Sequence, residues 1–277
     1  MNYLLVAAAL LPAFVLCVYV YKKDRIEKEP IGLLLGLLAA GAACCIPAAF
    51  AEGVLLDTID SFFNVQTAPD GNTYVPSSVY YVYYLVRNFI GIALVEEFFK
   101  WIVLIKITKK NKNHNSFFDG MIYAIFVSLG FAAFENIFYV LKYGWYVAVV
   151  RAILAVPGHM FDSVLMGYHY SHWNILDKAA DIEKDLVAEG RISYAANPIT
   201  SKKSRFNSLL VPVLAHGFYD FCCTVGGSLA MLVLVGFVIF LYIHCFKKIK
   251  QMSKADGSDN AYAMYLIRKK YPNAFAE

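Results

Sequence analysis

The sequence predicts an all-α polytopic membrane protein with about seven transmembrane helices, its N-terminus outside and its C-terminus inside. Three observations predict it: a large apolar excess, charge-free runs long enough to span a bilayer, and basic residues gathered in alternate connections. Of the 277 residues, 59% are hydrophobic and only 17% are charged, against about half and a quarter in soluble domains. Such a surplus needs a solvent that accepts apolar surface, which excludes an ordinary soluble enzyme. The net charge of +4 is too small to point to nucleic acid.

Met1 to Tyr21 and Ile31 to Ala51 each run 21 residues without a charge, enough to cross about 30 Å of hydrocarbon as a helix. The compact charged turn between them, Lys22 to Pro30, ends on a proline suited to a helix start. Basic residues come after the first apolar run rather than before it, so the segment reads as a retained helix and not a cleaved signal. Further spans are expected at 84–105, 117–141, 147–171, 207–225 and 228–246, with Gly226-Gly227 turning the chain between the last two.

Orientation comes from counting. Of the 25 lysines and arginines, 21 lie in residues 22–30, 106–116, 172–206 and 247 onward, all on one side of a seven-helix arrangement. The chain then divides into an N-terminal transmembrane hairpin (1–51), an extracytoplasmic loop (52–83), a membrane-embedded core (84–247) with a cytoplasmic loop (172–206), and a cytoplasmic tail (248–277). The outer loop carries Glu52, Asp57, Asp60 and Asp70, and its tyrosines Tyr80, Tyr81, Tyr83 and Tyr84 read as an interfacial anchor. In the inner loop, the apolar spacing from Ile175 to Val187 predicts a short amphipathic helix lying on the membrane. Gly32, Gly36, Gly91, Gly130 and Gly167 are expected to permit close helix approach.

A charge at the bilayer centre costs at least about 2.5–3.5 kcal/mol, so intramembrane carboxylates and histidines are functional candidates. They are Glu96 and Glu97 with Lys100, Glu135, His159 with Asp162, and His216 with Asp220. Measured from the outer helix ends, they fall within about 10 Å of depth at 1.5 Å per residue, so four helices present them in one layer. Adjacent Glu96 and Glu97 point about 100° apart on a helix, so one is expected to face the site and the other to support it. Lys100 reads as their counter-ion, Asp162 as a group orienting His159, and Asn136 as hydrogen-bond support for Glu135. Arg87 and Arg151 read as interfacial.

Such a layer suits hydrolysis. A glutamate can activate water while histidines either stabilise an oxyanion or, with carboxylates, hold a zinc ion. His159, His216 and either Glu135 or Asp220 would form an open zinc site. The same residue types also mark ion or proton pathways, so an ion-coupled transporter stays open, as does a non-enzymatic scaffold.

Glu96-Glu97-Phe98-Phe99-Lys100, Phe131-Ala132-Ala133-Phe134-Glu135, Pro157-Gly158-His159-Met160-Phe161-Asp162 and His216-Gly217-Phe218-Tyr219-Asp220 resemble the four ordered motifs of the PrsW family of intramembrane proteases. That family is in turn similar to the type II CAAX prenyl endopeptidases, in which a histidine often stands where Glu135 does. The resemblance covers about residues 84 to 225. It implies a multi-pass protease of the bacterial plasma membrane that makes the first cut in a membrane-anchored anti-sigma factor and so frees a sigma factor through a cascade. It also implies that Glu96, Glu97 and His216 are essential, with Glu135, His159 and Asp220 completing the site; the mechanism is either metal-assisted, with zinc as the candidate cofactor, or of a metal-independent glutamate type.

Overall fold

The computed structural model describes residues 2–67, 73–193 and 197–275; Asp70 lies outside them. The described residues form a helical bundle with one two-residue hairpin. Its helices are α1 (Asn2–Lys23), α2 (Ile31–Phe62), α3 (Tyr80–Val86), α4 (Leu94–Thr108), α5 (Asp119–Tyr143), α6 (Trp145–Ile153), α7 (Ala155–Ala188), α8 (Lys202–Val225), α9 (Gly227–Lys254) and α10 (Asp259–Lys270), with strands β1 (Gln66–Thr67) and β2 (Thr73–Tyr74). Six of the helices among the described residues are long and apolar enough to cross a membrane. The expected span at 84–105 is helical throughout but divides into α3, a π-helical stretch Arg87–Ala93 and α4, none of which alone has that length.

Helix α5 is the axis of the bundle. Every residue from Asp119 to Ala132 is buried, as expected of a helix that is apolar all round. It packs against α1, α2, α4 and α7, while α8 closes the bundle against α7, α4 and the π-helical stretch. The outward faces of α1 and α9 stay apolar and exposed, among them Leu4, Phe14, Leu229, Leu232 and Ile239. In water they would be a large unpartnered patch, whereas in lipid they are the ordinary solvent contact.

Helix α2 lies directly against α5, and two glycines permit the approach. A Cβ at Gly130 would overlap the Leu38 carbonyl, and one at Gly41 would overlap the Val127 carbonyl. Gly167 is similarly close to Met121 on α5, and Gly91 meets the Leu56 side chain, whereas Gly32 and Gly36 have no neighbour within 4 Å. Gly32 and Gly36 are therefore not packing glycines. The turn between α8 and α9 is where the glycine pair predicts it, with Gly226 at φ 66° and Gly227 at φ 80°, conformations that favour glycine.

Several boundaries differ from expectation. Helix α2 does not stop at Ala51; the apolar pattern resumes at Val54, Leu55 and Leu56, so Glu52, Asp57 and Asp60 sit on the helix rather than in a loop. Tyr83 is buried rather than interfacial, donating to Asp60 Oδ1 at 2.8 Å. The expected span 147–171 breaks at Leu154, which separates α6 from α7. The inner amphipathic segment is no separate surface helix but the continuation of α7, and its apolar face is covered by α10: Ile175, Ala179 and Leu186 pack on Ala263 and Ile267. Asp259 at the start of α10 accepts from Asn174 at 2.6 Å and from Lys178 at 3.2 Å. This part of the tail thus docks on the protein.

Gly130→Ala should lower the thermal midpoint of the purified protein, since overpacking costs about 1–3 kcal/mol. Gly36→Ala should leave it unchanged or slightly raised. Equal midpoints for the two variants in detergent would contradict the close α2–α5 contact.

Candidate active site

Four helices bring the candidate residues to one place, and local structure explains how. Immediately before α4, the π-helical stretch shifts the helical phase, each inserted residue rotating the succeeding turns by about 100°. Asn88 within it is buried, donating to the Tyr84 carbonyl at 2.7 Å and accepting from Thr224 of α8 at 3.0 Å. Gly217 lets the Phe89 ring lie directly against α8. The result is that Glu96, Glu97 and Lys100 face α7 and α8 rather than lipid.

Lys100 is the hub. Its ammonium donates to Glu96 Oε2 at 3.0 Å, to Glu97 Oε1 at 2.7 Å and to His159 Nδ1 at 3.1 Å, and it lies 4.2 Å from the centroid of the Phe131 ring. All three ammonium hydrogens are therefore used. His216 Nδ1 lies 3.0 Å from Glu97 Oε1, while its Nε2 lies 3.3 Å from Asp220. His159 Nε2 lies 3.0 Å from Glu135 Oε2, which also accepts from Arg151 at 2.6 Å. Arg151 further donates to Asn136 Oδ1 at 2.8 Å, and Asn136 donates to the Ala9 carbonyl at 2.8 Å.

Beside this network is a cavity of about 600 Å³ lined by Glu52, Glu96, Glu135, His159, Asp162, His216 and Asp220, among others. Glu96 reaches it; Glu97, 0% exposed, lies behind. Its rim includes Tyr139, Cys223 and Thr224, which are exposed. Six carboxylates, counting Glu97, meet three fixed cations, Lys100, Arg87 and Arg151, and Arg87 is already held by Asp60 at 3.0 Å. Carboxyl groups thus outnumber fixed cations around one cavity.

The donor set fits a metal. Ligand-type atoms of Glu96, Glu97, His159 and His216 all lie within 4.8 Å of one another and all four residues are buried. Glu97 Oε2 is buried without a hydrogen-bond partner. His216 faces carboxyl groups through both ring nitrogens, a contact that a doubly protonated ring, a protonated carboxyl or an interposed cation satisfies. Two imidazoles and a carboxylate form an open zinc set. Lys100 marks where positive charge is wanted; a metal could share its carboxylate acceptors, but at His159 Nδ1, which has one lone pair, it would have to take the lysine's place.

The expected ligands Glu135 and Asp220 are not in this group. Each instead meets the outer nitrogen of a histidine, the arrangement by which second partners fix a metal-binding ring. Asp162 faces His216 Nδ1 at 3.8 Å rather than orienting His159, because α7 packs along α8 at that level. Sequence reasoning missed Glu52, read as a loop residue, and Arg151, read as interfacial. The signal for Glu52 was the apolar run resuming after it; for Arg151, it was the single charge in an otherwise uncharged stretch from Tyr143 to Phe161.

Residues 29–244 match the PrsW family of intramembrane metalloproteases. The chain belongs to the PrsW family. It is 30% identical to Protease PrsW of Oceanobacillus iheyensis over 250 residues, covering 90% of this chain and 96% of that protein. It is 27% identical to Protease PrsW of Bacillus subtilis over 247 residues, covering 89% and 94%. No solved structure matches the chain. As a PrsW protein it is a multi-pass bacterial intramembrane protease rather than the carrier that buried carboxylates also suggested.

Arg151→Met should leave the Glu135 carboxylate without its counter-ion. The pair is partly exposed, so the expected loss is on the order of 2–3 kcal/mol, below the 3–5 of a fully buried pair. Adding Glu135→Gln should restore most of it in thermal unfolding; failure to do so would contradict the pairing.

Proposed function

We propose that this PrsW protein cuts a membrane-anchored anti-sigma factor near its extracytoplasmic boundary, the first cleavage of a cascade that releases a sigma factor. The observation that carries the catalytic assignment is the unequal placement of the glutamate pair: Glu96 lines the cavity, whereas Glu97 sits behind it against Lys100 and His216. A general base must reach water and the reacting bond. Glu96 is accordingly the base that takes a proton from the attacking water and later returns it to the leaving amine.

Glu97, His159 and His216 would hold the metal, which supplies a Lewis acid that polarises the scissile carbonyl and lowers the pKa of water. Glu135 and Asp220 keep the two imidazoles oriented through their outer nitrogens. Lys100 holds both glutamates in place and neutralises part of their charge. The depth of the cavity supports cleavage near one face of the bilayer. Its lining is drawn from the C-terminal parts of α2, α5 and α8, with Leu56, Tyr139 and Cys223 among them. In the N-out orientation that the distribution of basic residues predicts, those ends are extracytoplasmic.

The test is cleavage of a reconstituted single-span anti-sigma factor by purified variants inserted at wild-type levels. Glu96→Gln and His216→Ala should each reduce the rate by at least about 10²-fold, the usual contribution of a positioned acid–base group. Chelation should abolish cleavage and one defined metal should restore it. Wild-type cleavage by Glu96→Gln would overturn the assignment of the base, and cleavage of soluble peptide but no anchored substrate would overturn the substrate class.

A further inference from the structure

A second cavity, of about 400 Å³, lies outside the catalytic network between α4 and α8. Its walls are Leu94 and Trp101 on α4 and Phe206, Leu209, Leu210 and Val213 on α8. Trp101 is suited to an apolar wall because its indole N–H is already taken by Ser208 Oγ at 2.8 Å, leaving the ring face for contact. At one end stand Lys202 and Arg205, both exposed. No carboxylate among the described residues pairs with either, and the first turn of α8 has no acidic residue. Arg205 is steadied by the Trp173 ring, 5.2 Å from its guanidinium carbon.

We propose that this groove binds one anionic phospholipid, its acyl chain along α8 and its phosphate on Lys202 and Arg205. Two features select that occupant. The first is charge: an apolar slot with a mouth of unpaired cations complements a molecule that is apolar along its length and anionic at one end. The second is length. From Lys202 to Val213 the helix rises about 16 Å at 1.5 Å per residue, which matches one leaflet, half of the roughly 30 Å hydrocarbon core. A substrate helix would need a surface across both leaflets, yet on α8 the groove ends at Val213, three residues short of His216. The bound lipid would seal the lipid-facing seam between the two helices that carry Glu97 and His216.

Lipid binding is measured without any protease assay, so it can fail independently of the proposed function. Full-length protein in detergent is given phosphatidylglycerol or phosphatidylcholine, and bound lipid is read by native mass spectrometry together with the thermal midpoint. Wild type should retain one phosphatidylglycerol and show a raised midpoint with it, more than with phosphatidylcholine. K202Q/R205Q should lose about tenfold or more in phosphatidylglycerol affinity, in keeping with about 1 kcal/mol per basic residue near an anionic headgroup. L209W, which fills the slot while leaving both cations, should bind neither lipid. Equal binding of the two lipids by wild type, or undiminished phosphatidylglycerol binding by K202Q/R205Q or L209W, would overturn the proposal. A dimer mass lost in L209W would assign the groove to a second copy instead.

Discussion

An ammonium group 1% exposed in the middle of an apolar bundle costs several kcal/mol in lost hydration, which only well-placed anions return. Lys100 recovers that by binding Glu96, Glu97 and His159 together, and the rest of the site depends on this arrangement. Glu96 and Glu97 come from its own helix; His159 comes from α7, and through Glu97 the network extends to His216 on α8. Rotating any of these helices by one residue would strand a buried charge. The lysine thus fixes the rotational setting of α4, α7 and α8 as firmly as the glycine contacts fix the separation of α2 from α5.

The same network gathers more carboxylates than fixed cations. Glu52, Glu135, Asp162 and Asp220 add to the glutamate pair around one cavity, and Arg151 answers only Glu135. A purely structural ion-pair cluster would balance its charges and satisfy its buried oxygens. Here Glu97 Oε2 is left without a partner and His216 lies between two carboxylates. Those departures from a satisfied interior occur where the PrsW family name calls for a metal-assisted hydrolysis.

Much of this was legible in the sequence, for physical reasons that can be named. Hydrophobic length revealed the helices because a bilayer imposes it, and the buried charges stood out because lipid makes them costly. The i, i+4 spacing of His216 and Asp220 and the i, i+3 spacing of Glu97 and Lys100 correctly indicated contacts within one helix. Contacts between helices were less accessible. That Asp162 faces His216, that Glu135 and Asp220 meet the outer nitrogens of the histidines, and that Arg151 reaches Glu135 all depend on helix rotation and on the break at Leu154. Glu52 was hidden by the assumption that a span ends when the first charge appears, whereas α2 continues because its apolar pattern does.

If Glu97, His159 and His216 form one cation site while Glu96 remains free to act as the base, zinc binding to chelator-stripped protein will separate the four residues. Metal bound per chain should be one zinc for wild type and for Glu96→Gln. Affinity should fall at least about 10-fold to 100-fold, the range for altering a metal site's supporting partners and a minimum for a ligand, in Glu97→Gln, His159→Ala and His216→Ala. Wild-type zinc binding by His216→Ala, or loss of zinc in Glu96→Gln alone, would contradict that division of roles.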